Sequence, residues 1–234
     1  MPPWDGASGG CCRTAPLAAS KTLKNCLLIG DSVTNGMSGV VTSLLKESCQ
    51  TQKYIGNDAI GESGCWDVSS AAPMGDHIDW DVIHFNEGLH SLWPRVNSSA
   101  ALKVWAAQLR NFTRLIKSTH PKATLIYATM TPFMPEKFAQ DGRPPAARSD
   151  VETKNKLAVE TVKLEGVTRI NDLYAVITAR CGDVYANCSI CDDESRYHSL
   201  NSTLPCWPPV QCGASCPNLG ALSRGMLELT IANG

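Results

Sequence analysis

No stretch of this 234-residue chain is apolar over the roughly 20 residues that a membrane-spanning helix needs, so no helical span is expected. Runs of like charge are missing too. With a formal net charge of −1, the chain offers no electrostatic case for nucleic acid or an anionic membrane as a partner. The opening MPPWDGASGGCCRTAPLAAS lacks the basic start and apolar segment of a signal peptide. Rich in Gly, Pro, Ala and Ser, residues 1–22 read as a disordered leader. The sequence shows no internal repeat. What remains, 23–234, is long enough for one domain, and a hydrophobic content of 43% suffices for its core.

Cysteine is plentiful. The chain has eleven, and six of them (Cys181, Cys188, Cys191, Cys206, Cys212 and Cys216) crowd into a Cys-rich segment, 181–216. Sequons for N-glycosylation stand at Asn97, Asn111, Asn187 and Asn201. Dense cysteines beside several sequons point to a secreted or luminal, disulfide-bonded glycoprotein. Asn111 lies inside an amphipathic pattern beside Phe112, where a glycan is expected to fit poorly. Cys188-x-x-Cys191 and Cys212-x-x-x-Cys216 come near zinc-ribbon spacing, but the second pair has one residue too many and sequons adjoin the cluster, so disulfides are the preferred reading.

Apolar runs alternate with helical patterns. NCLLIG, KYIGN, DVIHFN, ATLIYAT and VTRIND read as strands. MSGVVTSLLKES has helical spacing. SSAALKVWAAQLRNFTRLIKSTH places Leu102, Trp105, Leu109, Phe112 and Ile116 on one face, with an N-cap among Asn97 to Ser99. SDVETKNKLAVETVKLEG opens on a capping box, Ser149 to Glu152, and closes at Gly166. Near-continuous apolar strands between helices imply a parallel sheet covered on both faces, with its active site at the carboxyl ends of the strands.

At those ends stand residues able to do chemistry. In IGDSVTNG, Ser32 follows a buried strand and precedes a helix, which suits either a nucleophile near the positive end of the helix dipole or a plain N-cap. The segment is neither the GxSxG nucleophile elbow nor a phosphate loop, since no Gly-Lys-Ser/Thr follows. Asn86 ends the strand DVIHFN and can aim its amide at an oxyanion, or simply form a turn. The loop NDAIGESGCWDVS offers glycine N–H groups at Gly61 and Gly64.

This order of segments resembles the SGNH, or GDSL-type, hydrolases: Gly-Asp-Ser after strand one, a glycine loop after strand two, Asn after strand three and a late histidine. DVIHFNEGLHSL is similar to a His-Phe-Asn-X-Gly-Leu-His block carried by a subset of that family, and ATMTPF and INDLYAVI follow in the same order. The match runs from about Asn25 to Leu173. It implies a three-layer α/β/α domain with a five-stranded, mainly parallel, flavodoxin-like sheet, and hydrolysis of a carboxylic ester through an acyl-serine without metal or other cofactor. Ser32 would be the nucleophile. The Ser32 N–H, the Gly64 N–H (Gly61 being the alternative) and the Asn86 side chain would bind the oxyanion. Asp31 would brace the loop.

Among five histidines, His120 reads as an exposed helix cap, His77 as a surface residue, His84 as buried in its strand and His90 as a positioning residue. His198, in the region where the family places its base, is left for proton transfer. Ser195 occupies the family's acid position, so the carboxylate behind His198 is assigned to Asp193, with Asp192, Glu194 or none as alternatives. If the base position were instead Gln211, the chain would be an inactive binder of glycan or lipid. Transfer of the acyl group to a sugar hydroxyl is a further alternative. The expected partner is a small-molecule or carbohydrate ester, with acetyl and other short acyl groups preferred.

Overall fold

A computed structural model of the chain describes residues 12–13, 18–30, 32–55, 78–86, 98–132 and 148–181. These form strands β1 (Cys12–Arg13), β2 (Lys24–Gly30), β3 (Cys49–Ile55), β4 (Val82–Asn86), β5 (Thr124–Ala128) and β6 (Arg169–Asn171), and helices α1 (Ser32–Leu45), α2 (Ser99–Thr119), α3 (Arg148–Leu164) and α4 (Leu173–Cys181). The strands make one sheet in the order β1-β3-β2-β4-β5-β6. All neighbours from β3 to β6 run parallel, as expected. The two-residue β1 adds an antiparallel edge beside β3.

The alternation of side chains along each strand divides the core in two. Leu27 and Ile29 of β2, Ile83 and Phe85 of β4 and Tyr127 of β5 point to one face, where Trp105, Leu109, Phe112 and Ile116 of α2 and Ala158 and Val162 of α3 cover them. Cys26 and Leu28, Val82, and Ile126 and Ala128 point to the other, beneath Met37, Val41 and Leu45 of α1 and Leu173 and Ile177 of α4. Helices on both faces of a parallel sheet make three layers. Phe85 sits at the centre of the first core, edge-on to both Phe112 and Tyr127 at centroid distances of 6.0 and 5.4 Å.

Helix ends obey local chemistry. Ser98 caps α2, its Oγ accepting from the Ala101 N–H at 3.3 Å. Gly166 adopts φ +82° after α3. There the Val167 N–H donates to Val162 O (3.0 Å) and the Gly166 N–H to Lys163 O (2.9 Å), the paired bonds of a Schellman ending. Val162 and Val167 are both buried in the first core. Glu165, just before that glycine, accepts both arms of the Arg114 guanidinium at 2.8 and 3.0 Å and so joins α3 to α2. Arg114 holds the Glu165 carboxyl below its usual range.

Two expectations are corrected here. His120 is buried, not exposed. Its N–H donates to Ile116 O and its carbonyl accepts from the Ala123 N–H, a tight turn that feeds the chain straight into β5 and carries the ring inward. Asn111 projects to solvent from α2 while Phe112 and Thr113 face the core, so packing does not exclude a glycan there. Asn97, Asn187 and Asn201 lie outside the described residues.

Cys26 and Cys49, on adjacent strands, form a disulfide with Cα atoms 5.8 Å apart. Both are buried, and the bridge ties β2 to the start of β3 across 23 residues. Replacing both by alanine is expected to cost about 3 kcal/mol of stability, chiefly from the freedom returned to the unfolded chain. Urea unfolding checks this.

Candidate active site

The parallel strands run in the order β3-β2-β4-β5-β6, so the chain leaves β2 toward one side and later returns to its other side as β4. That reversal opens a crevice outside the carboxyl ends of β2 and β4, the usual ligand position in such sheets. Ile29 pairs with Phe85, which sets the next residues, Gly30 and Asn86, side by side at that edge. By the period of two, Gly30 and Asn86 lie on the same sheet face as Leu28 and His84, the face that α1 covers.

Ser32 is the first residue of α1, two residues past the end of β2. Two residues on, within the first turn of the helix, Thr34 stands over the sheet edge. Its hydroxyl donates to Asn86 Oδ1 at 3.3 Å, with both residues buried. Gly30 makes room for this contact, since a Cβ there would stand 2.1 Å from Thr34 Oγ1 and 2.2 Å from Asn86 Oδ1. The amide of Asn86 is therefore held by the same helical turn that begins with Ser32. Gly64, His198, Asp193 and the alternatives Gly61, Asp192, Glu194 and Gln211 lie outside the described residues, as do Asp31, His77, His90 and all the cysteines of 182–216.

Residues that sequence reasoning passed over build the frame. Asn155 of α3 clamps the segment after β5, accepting from the Met130 N–H at 2.8 Å and donating to the Met130 carbonyl at 2.9 Å. Thr129 donates to Asp172 Oδ1 at 3.0 Å, and Asp172 also accepts from the Ala175 N–H to cap α4. The only signals for these were isolated polar residues beside apolar runs. By contrast, a cavity of about 370 Å³ lined by Lys117, His120 and Arg169 opens at the amino edge of β5 and β6, away from this crevice.

His84 lies one pleat below Asn86, fully buried, with Nε2 3.3 Å from the Asn171 amide nitrogen. Burial lowers its pKa to about 4, so the ring is neutral and Nε2 accepts from Asn171. Above the unfolded value of about 6.5, both states hold a neutral ring and its contribution to stability is complete. As pH falls from there, the unfolded chain takes up the proton first, and about 3 kcal/mol is lost by the time pH reaches about 4. His84→Gln should flatten this part of the pH–stability curve, as read by urea midpoints between pH 7 and pH 4.

No protein-family model matches the sequence, and no curated protein is similar to it. Solved structures do match. A Parabacteroides merdae protein named as a GDSL-like lipase is 13% identical, with a TM-score of 0.55 over 89% of this chain and 97% of its own. A protein from Lactobacillus plantarum is 12% identical, with a TM-score of 0.56 over 91% and 99%. At such identities the likeness is one of architecture, and it agrees with the strand order and layers described above. The chain has a three-layer α/β/α fold, and it shares that architecture with the protein named as a GDSL-like lipase.

Proposed function

We propose that this protein is a serine-dependent carboxylic ester hydrolase of the SGNH type, acting on small acyl or acetyl esters of small molecules or carbohydrates. One observation carries the reading: the Asn86 amide and the helical turn that starts at Ser32 are hydrogen-bonded together at the switch point of the sheet. A hydroxyl at a helix start beside a buried amide donor is what acyl transfer needs.

In this reading Ser32 Oγ attacks the ester carbonyl while His198 takes its proton, with Asp193 orienting the imidazole. The carbonyl oxygen becomes an oxyanion held by the Ser32 and Gly64 N–H groups and Asn86 Nδ2. Collapse breaks the ester C–O bond, and the alcohol leaves with the proton from His198. Water then attacks the acyl-serine, giving its proton to His198. The carboxylic acid departs and Ser32 is reprotonated. The buried Cys26–Cys49 bridge supports an oxidising, secretory setting. Hydrolysis of p-nitrophenyl acetate and labelling by a fluorophosphonate, each compared between wild type and Ser32→Ala, test the enzyme. A wild type inert to both reagents would sink the reading.

A further inference from the structure

We propose that Thr34 is a positioning residue for Asn86: its hydroxyl anchors the carboxamide at Oδ1, so that Nδ2 is held toward the substrate. The inference rests on the esterase reading of this crevice. A carboxamide is nearly symmetric in shape but opposite in polarity at its two ends. Rotated by half a turn, Asn86 would present Oδ1 to a developing oxyanion and repel it, where Nδ2 would donate to it. The amide must therefore be held firmly in the productive orientation. The Thr34 hydroxyl donates to Asn86 Oδ1 at 3.3 Å in a site closed to water, with Thr34 1% and Asn86 3% exposed. In the arrangement observed the hydroxyl donates to Oδ1, which anchors that end of the carboxamide at Thr34 and leaves Nδ2 turned away from it.

Position makes the contact specific. Thr34 belongs to the first turn of α1, two residues after Ser32, so the nucleophile's helix itself sets the amide. The bare Cα of Gly30 permits this, because any side chain there would occupy the line between Thr34 and Asn86. A short helix turn, a glycine and an amide thus form one unit, in which Ser32 and the oxyanion donor share a rigid support.

The test compares full-length wild type, Thr34→Val, Thr34→Ser and Ser32→Ala on p-nitrophenyl acetate. Thr34→Val keeps the shape and removes the donor. It should lower kcat by about 10- to 100-fold, short of the 10²–10³ that complete loss of an oxyanion donor costs, and leave KM unchanged. Thr34→Ser restores the hydroxyl and should restore kcat. Wild-type turnover in Thr34→Val, with Ser32→Ala inactive, overturns the role of Thr34 alone. Wild-type turnover in Ser32→Ala overturns the esterase reading instead. Thermal unfolding adds a readout independent of turnover. The double variant Thr34→Val/Asn86→Ala should lose less Tm than the two single losses together, because each single variant already breaks the shared bond. Strictly additive Tm losses would overturn the contact, and the proposal with it, whatever the activity.

Discussion

Ser32→Ala is expected to lower kcat on p-nitrophenyl acetate by a factor that can reach about 10⁶, leaving only what the oxyanion donors and binding supply. The alternative for Ser32 is a purely structural place: α1 begins at Ser32 itself, one residue past the cap position, so the expected N-cap role falls away. Its replacement would then shift stability by no more than about 1 kcal/mol and change no chemistry. The two readings therefore separate on two axes, turnover and urea midpoint. A fluorophosphonate reports the nucleophile directly, since Ser32 Oγ would displace fluoride and retain the phosphonyl group as a mass increase on the peptide containing Ser32. His198 enters the same experiment. Groups that act as one unit are not additive, so Ser32→Ala/His198→Ala should be no slower than Ser32→Ala alone. A further loss in the double variant would mean that His198 contributes something other than proton transfer with Ser32.

The sheet was legible because burial on both faces leaves a plain mark. NCLLIG, DVIHFN and ATLIYAT are apolar at both parities, and they became β2, β4 and β5 with two cores drawn from alternate residues. The inner face of α2 was legible from its period, and Gly166 from the need for positive φ at a helix end. β3 was less so. It begins at Cys49, in the polar run CQTQK, because an outer strand of the parallel set needs less apolar sequence than a central one. Helix α1 starts at Ser32, five residues before its apolar spacing begins at Met37, since polar residues in the first turn serve the sheet edge rather than the core.

Pairings between distant residues were not legible. Cys26 and Cys49 meet through strand register, and a register cannot be read from either segment alone. His120 looked like a surface cap because its neighbours Thr119 and Pro121 are poor core residues; the turn into β5 buried it. For the site, Asn86 was found by its place after an apolar strand. Thr34 was overlooked although it stands in the quoted IGDSVTNG, because helical rotation and the gap at Gly30 both had to be known before its hydroxyl could be aimed.

Gly30→Ala is expected to damage the site more than its size suggests. The added methyl would meet Thr34 Oγ1 at 2.1 Å, Thr34 Cβ at 2.8 Å and Asn86 Oδ1 at 2.2 Å, all far inside van der Waals contact. The backbone at Gly30 is held in the ladder of β2, so the two side chains must give way. Their displacement breaks the Thr34–Asn86 bond inside a buried site and turns the amide from the crevice. Overpacking of this kind costs about 1–3 kcal/mol. The lost oxyanion donor should lower kcat by about 10²–10³. Gly39 provides the control from the same neighbourhood. It lies on the exposed side of α1, and a Cβ there would meet nothing within 4 Å. Gly39→Ala should therefore keep full turnover and gain up to about 1 kcal/mol, the helix preference for alanine over glycine. Turnover of p-nitrophenyl acetate and urea midpoints for both variants settle the comparison. If Gly30→Ala turned over like Gly39→Ala, the Asn86 amide would have no part in the rate, and the crevice between β2 and β4 would have to be read as something other than an oxyanion site.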